Sequence, residues 1–313
     1  MMCNHEKVKI IFFSHDNVVA YAASELKKYL EMMMPERMEA SIEISTYRKE
    51  ECCCEKSIKL GLLEQFGIDK SEVENGLFDD VIHIDVTGLS GVIGGSNVRS
   101  ILLGVYRFLH EAGCRWVRPG ADGEYIPEKN MNDVIIKLHE KAKYRHRGLC
   151  IEGAVSYENM VENIEWAPKV GFNSYFIEFV TPYTFFDRWY SHKYNKYKNP
   201  EHLTVEMVQQ FTIQLEKEIK KRGLLYHAVG HGWTCEPFGI PGLGWDMETY
   251  DIDEETRKYF AEVNGKRDIW HGVPLNTNLC YSNLEGRKKV VDYCADYVLK
   301  NSYIDVLHFW LAD

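Results

Sequence analysis

Carboxylates, imidazoles and flat aromatic rings recur at the ends of apolar runs in the C-terminal half of this chain. Glu152 closes the run Arg147 to Gly153 (RGLCIEG), and Glu178 stands near the end of Phe172 to Val180 (FNSYFIEFV). His227 and His231 bracket the end of Leu224 to Val229 (LLYHAV), followed by Trp233, Glu236 and Trp245. Trp310 and Asp313 finish the run DVLHFWLAD. A dense aromatic stretch, with Phe185, Phe186 and Trp189 between Tyr183 and Tyr197, follows the second run. Aromatic rings stack on the apolar faces of pyranoses and carboxylates accept hydrogen bonds from hydroxyls. A pair of carboxyls can do acid/base or nucleophilic work at a glycosidic bond. Asp313 is the candidate for catalysis. Glu152, Glu178, His227, His231, Trp233 and Trp310 are candidates for holding a sugar.

Each of these residues also fits a plainer role. Any of the rings could serve core or loop packing, His227 could be a hydrogen-bonded core histidine, and Glu236 a loop charge. Glu178 in an apolar strand is expensive to bury alone, so it is expected in a site or in an ion pair with an arginine such as Arg147. His231 in Gly230-His231-Gly232 has little to pack against and reads as a site residue. His227 and His231 with a carboxylate would suggest a metal, but His-x3-His suits a helix and this segment reads as strand then loop. The Gly94-Gly95 turn lacks the lysine and the glycine spacing of a phosphate cradle. No metal and no cofactor is therefore expected.

The elements that must position these residues alternate. After each of the first two runs comes a helical stretch, Ser156 to Val170 with Ser156 as its cap and Val205 to Arg222 ended by Gly223. Helices are also expected over Glu254 to Val263 and Glu285 to Lys300, and the last strand over Val306 to Leu311. Four strands alternating with helices signal parallel βα units, and parallel strands covered on both faces are continuously apolar. Before residue 140 the pattern differs. Strands are expected at Lys7 to Ser14, Ala40 to Ser45, Ile58 to Leu62, Val81 to Val86, Leu89 to Ile93 and Val134 to Leu138. Helices are expected at Val18 to Met33, capped by Asp16 or Asn17, and at Val98 to Ala112. The fold expected is α/β: a small N-terminal α/β domain over 1–140, then about four βα units of a (β/α)8 TIM barrel over 145–313, where a whole barrel needs roughly 250 residues. The chain therefore reads as truncated within its barrel and inactive alone, and an open four-stranded sheet is the alternative.

Composition narrows the partners. The 37 Lys and Arg against 47 Asp and Glu give a net charge of −10, which disfavours nucleic acid. No apolar run approaches the roughly 18 residues of a membrane span, and no signal peptide is evident at the N-terminus. The nine cysteines include the triplet Cys52-Cys53-Cys54 but no CxxC pair, and are expected as reduced thiols of a cytoplasmic protein. Composition assigns no oligomeric state.

Several motifs resemble a known family. Arg147-Gly148-Leu149-x-x-Glu152 with Trp166-x-x-Lys169-x-Gly171-Phe172-Asn173 is similar to the start of the barrel in glycoside hydrolase family 20, the β-hexosaminidases. Gly104-Val105-Tyr106-x-Phe108-Leu109, Gly113-Cys114-Arg115-Trp116 and Tyr125-Ile126-Pro127 resemble the small α/β domain preceding the barrel in hexosaminidases and α-glucuronidases. His227-x-x-Gly230-His231, Leu275 to Cys280 and Phe309-Trp310-Leu311-Ala312-Asp313 resemble bacterial proteins carrying the hydrolase-like domain of unknown function 4838. The resemblance implies a carbohydrate-active protein, an exo-acting glycoside hydrolase or relative. It implies that Arg147 binds sugar hydroxyls, and that Asp313 is the aspartate of an Asp-Glu pair whose glutamate would fall at position 314. Phe-Trp-Leu-Ala replaces the family's His-x-Gly-Gly before that aspartate. A carbohydrate-binding protein without catalysis is the alternative.

Overall fold

A computed structural model describes residues 8–35, 42–47, 56–246 and 252–312. The chain divides into two compact units. The first comprises Met1–Gly148 with Glu162–Ser174 and Glu218–Leu224, the second Leu149–Val161, Tyr175–Lys217 and Leu225–Asp313.

The first unit is built on a six-stranded sheet. Its strands are β1 (Val8–Phe12), β2 (Ile42–Thr46), β3 (Lys56–Leu62), the hairpin β4 (Val81–Thr87) and β5 (Ser90–Gly95), and later β8 (Ile135–Lys141), in the order β2-β1-β3-β5-β4-β8. Strands β1, β2, β3 and β5 run parallel, and β4 is antiparallel to both its neighbours. Helix α1 (Asn17–Met33) begins where the Asp16 carboxylate accepts from the Val18 N–H, satisfying one of the donors that a helix start leaves open. Asn97 caps α2 (Val98–Ala112) through the Ser100 N–H. Leu26, Tyr29 and Leu30 of α1 and Ile101, Val105 and Phe108 of α2 are buried in one core with Ile10, Ile58, Ile84 and Ile93 of the sheet. Each such side chain contributes about 1.5–3 kcal/mol. A short pair, β6 (Arg115–Trp116) and β7 (Glu124–Tyr125), precedes β8 (Ile135–Lys141).

A charged cluster is buried in this unit. The Asp80 carboxylate accepts from Arg99 Nε at 3.0 Å and Nη2 at 2.8 Å, from Ser100 Oγ at 2.8 Å, from Arg147 Nη2 at 2.8 Å and from Asn173 Nδ2 at 2.7 Å. Burial pushes its pKa up, but Arg99 and then Arg147 more than offset that and hold it below the usual carboxylate value.

The second sheet has four strands in the order β14-β11-β10-β9: β9 (Gly148–Leu149), β10 (Ser174–Glu178), β11 (Leu225–Val229) and β14 (Val306–Leu307). Consecutive strands of the βα series are neighbours, and β14 runs parallel to β11. Among the described residues this sheet does not close into a barrel. Between the strands lie α3 (Tyr157–Lys169), α4 (Tyr183–Tyr190), α5 (Val205–Lys221), α6 (Glu254–Arg257), the hairpin β12 (Glu262–Val263) and β13 (Lys266–Arg267), and α7 (Leu284–Lys300). Every residue of β11 is buried, as expected of a strand covered on both faces.

Several elements differ from their expected spans. The first strand of the series keeps two residues rather than seven: no residue of its run is buried, and the run ends in left-handed backbone at Gly153 (φ 120°) and Ala154 (φ 60°). The last strand stops at Leu307, and Phe309, Trp310 and Leu311 are exposed. The aromatic stretch expected as loop forms α4, where Phe185 and Phe186 are buried. The helix expected to reach Val263 ends at Arg257. Among the described residues no helix is long and apolar enough to cross a membrane. Cys114, Cys150, Cys235, Cys280 and Cys294 are free thiols; the Cys52 triplet lies outside the described residues.

Candidate functional site

The candidate site grows from the ends of β10 and β11. Glu178 is the last residue of β10 and only 4% exposed. The chain leaves β11 through Gly230 (φ 100°), His231 and Gly232 (φ 111°). Both glycines are required by space as well as by φ. A Cβ on Gly230 would come within 2.6 Å of Glu178 Cγ, and one on Gly232 within 3.0 Å of Val180 Cγ2 and 3.4 Å of Glu236 Oε1. The glycine-flanked histidine thus passes between two glutamates.

His231 is the centre of the group. Its Nε2 stands 3.9 Å from Glu178 Oε1. Trp245 and Trp310 meet its ring nearly at right angles, with centroids at 5.1 and 5.7 Å, and Phe179 lies tilted at 5.7 Å. Trp310 is 37% exposed, so part of its ring is open to a ligand. Its segment is held by Asn278, whose side-chain amide donates to the Ala312 carbonyl and accepts from the Ala312 N–H, each at 3.2 Å.

Glu236 brings a second carboxyl. It lies in a short turn after the glycine loop and accepts from Tyr293 Oη at 3.1 Å. With Thr181 and Ile240 it lines a cavity of about 300 Å3. Burial raises its pKa, partly offset by Tyr293, Thr181 and the Gly242 backbone. A carboxylic acid that keeps its proton to higher pH can donate it. Sequence reasoning allowed Glu236 a loop-charge role. The signal that separates it is its place four residues after the glycine that makes room for it.

His227 forms a different group. Its ring lies 4.3 Å from Phe176 and 5.1 Å from His308, and its Nδ1 is 2.8 Å from His308 Nε2. One of these nitrogens donates while the other accepts. His308 was not expected in this role.

Two expected residues are differently employed. Trp233 is 1% exposed, with Tyr297 and Tyr293 packed edgewise at 5.1 and 6.3 Å, so its faces are core surface rather than a sugar platform. Arg147 pairs with Asp80, not with Glu178, and donates from Nε to the Gly171 carbonyl at 2.9 Å. Glu152 is exposed, its backbone carbonyl accepting from Arg188 at 3.4 Å. Asp313 lies outside the described residues.

No protein-family model matches this chain, and no curated protein matches it in sequence. Among solved structures it is similar to a GH138 enzyme described as targeting pectin rhamnogalacturonan II, at 12% identity over 80% of this chain and 28% of that one, with a TM-score of 0.45. It is also similar to CpGH84D, at 14% identity over 80% of this chain and 36% of that one, with a TM-score of 0.42. The corresponding values for CpGH84B are 13%, 96% and 40%, with a TM-score of 0.42. The chain therefore spans 28% to 40% of the length of these glycoside hydrolases.

Proposed function

We propose that this chain is carbohydrate-active and that saccharide binds around His231. The observation that carries this reading is one imidazole with a buried glutamate at 3.9 Å on one side and two tryptophan rings nearly perpendicular to it, one part-exposed, on others. In this reading Trp310 offers its open surface to the apolar face of a sugar ring. Glu178 and His231 fix hydroxyls by hydrogen bonding, and Glu236 supplies a proton. The motif resemblance to family 20 hexosaminidases and to the 4838 family points to exo-acting glycoside hydrolysis, with Asp313 in the catalytic pair. The likeness of His231 and its loop to those motifs supports this. Binding without turnover is the second reading, favoured by the aromatic rings gathered around His231.

The test is calorimetric titration with a panel of mono- and disaccharides, run beside hydrolysis of chromogenic glycosides. Saccharide binding that weakens at least about tenfold in Glu178→Gln, the worth of one hydrogen bond to a charged group, is expected. Turnover lost in Asp313→Asn favours the hydrolase, and binding without turnover favours the binding protein. Absence of saturable binding across the panel would overturn both.

A further inference from the structure

The first unit holds a cavity of about 490 Å3 that the carbohydrate reading does not use, lined from β4, α2, β6, β8 and the C-terminal end of α3 with Val170 and Gly171. That volume suits a small organic molecule. Its floor is apolar: Ile82, Leu103, Tyr106 and Trp116 are buried there. Val117, 76% exposed, and the exposed Val170 extend the apolar surface along the rim.

The polar part of the lining is cationic, although the whole chain carries −10. Most of its cations are already neutralised. Arg147 is taken by Asp80, Lys169 by Glu124 and Glu165, and Arg107 by Glu140 and Glu111. Lys141 lies 3.8 Å from Asp79 and 3.7 Å from Glu74. Arg115 differs. Its Nη1 donates to the carbonyls of His110 at 2.6 Å and Cys114 at 2.7 Å, and among the described residues it pairs with no carboxylate. Neutral acceptors orient a guanidinium without cancelling its charge, and its Nε and Nη2 edge remains free for a bidentate partner. His110, on the same wall, has its pKa lowered first by burial and then by Arg115 and Arg107, with Glu111 acting against them.

We propose that this cavity binds a small organic anion: a carboxylate, sulfate or phosphate group on a flat apolar body. Arg115 grips the head group, and the floor around Tyr106 and Trp116 receives the body. The apolar part of the lining selects against a bare inorganic anion, and the arginine selects against an uncharged hydrocarbon.

The experiment is calorimetric titration of the 313-residue chain with 1-naphthyl phosphate, 1-naphthoate and 1-naphthalenesulfonate, beside 1-naphthol and inorganic phosphate. At least one naphthyl anion is expected to saturate a single site that weakens with added salt. Its affinity should exceed those of 1-naphthol and inorganic phosphate by about tenfold or more, and the ranking of the three anions identifies the head group. Arg115→Gln should weaken binding at least about tenfold, with part of the loss restored in Arg115→Lys. Val117→Asp, at an exposed position that folding does not need, should repel the same ligand if Arg115→Gln proves unfolded. Equal affinity for 1-naphthol, unchanged binding in Arg115→Gln and Val117→Asp, or no saturable binding of any naphthyl anion would each overturn the proposal.

Discussion

Replacing Asp80 by asparagine removes the carboxylate that two arginines share. The side chains of Asp80 and Arg99 are 2% and 5% exposed, so Arg99 would be left as a buried cation among neutral acceptors. Breaking a buried pair in this way costs about 3–5 kcal/mol. At about 2–4 °C per kcal/mol for a unit of this size, the melting temperature should fall by about 6–20 °C. The pH dependence gives a sharper signature. Asp80 has a folded pKa below its ordinary value of 3.8. Its stabilisation is therefore fully present above 3.8 and is lost as pH falls through the folded value. Asp80→Asn should lack that share of the acid limb, and its deficit should narrow below about pH 4. Urea titrations over pH 2.5 to 7, with hydrogen exchange of the α2 amides as a readout local to this unit, measure both effects. A cycle with Arg147→Gln should give a coupling of about 1–3 kcal/mol. A neutral-pH deficit under about 1 kcal/mol, or identical acid limbs, would refute the account of the cluster.

Four further outcomes follow from the second unit. Trp233→Ala should cost about 3–5 kcal/mol by cavity formation. Trp310→Ala should cost under about 1 kcal/mol and instead weaken saccharide binding; urea midpoints and titration together separate the two roles. Glu236 has a raised folded pKa, so the folded state holds its proton more tightly and stability falls as pH rises above the ordinary glutamate value of 4.5. Glu236→Gln should therefore be more stable than the parent at pH 8 and equal to it at pH 4. Gly230→Ala should cost about 1–3 kcal/mol and weaken saccharide binding, because φ is 100° and its Cβ would meet Glu178; an unchanged denaturation midpoint would contradict the close approach.

Local, periodic features were legible in the sequence. The Asp16 cap, helix Val98–Ala112, the Gly88 hairpin and the apolar run of β11 depend on near neighbours and a fixed period, and each forms as its pattern requires. The candidate site was legible where residue chemistry and local geometry share one short segment, as at Gly230-His231-Gly232. It was not legible where a partner came from far along the chain. Arg147 stands 67 positions from Asp80, and His227 stands 81 positions from His308; no spacing rule connects such pairs. Trp233 misled because a tryptophan past a strand end fits a sugar platform and a core equally well, and only its packing against Tyr297 decides. The ends of β9 and β14 misled because an apolar run sets where a strand can form, not how far a neighbour pairs with it.

Phe179 carries one more consequence. It is a non-glycine residue at φ 73°, yet its N–H still reaches the Val229 carbonyl at 2.8 Å and the next N–H reaches that of His231 at 3.0 Å. A regular strand has a parity: residues adjacent in sequence belong to opposite faces. The left-handed residue stands just past the last residue of β10, where that parity ends while the hydrogen bonding to the β11 end continues for two more N–H groups. Glu178 and Phe179, neighbours in sequence, therefore both reach His231, one by its carboxylate and one by its ring. At that point the chain obtains two contacts on one imidazole from consecutive residues, where a regular strand would supply one.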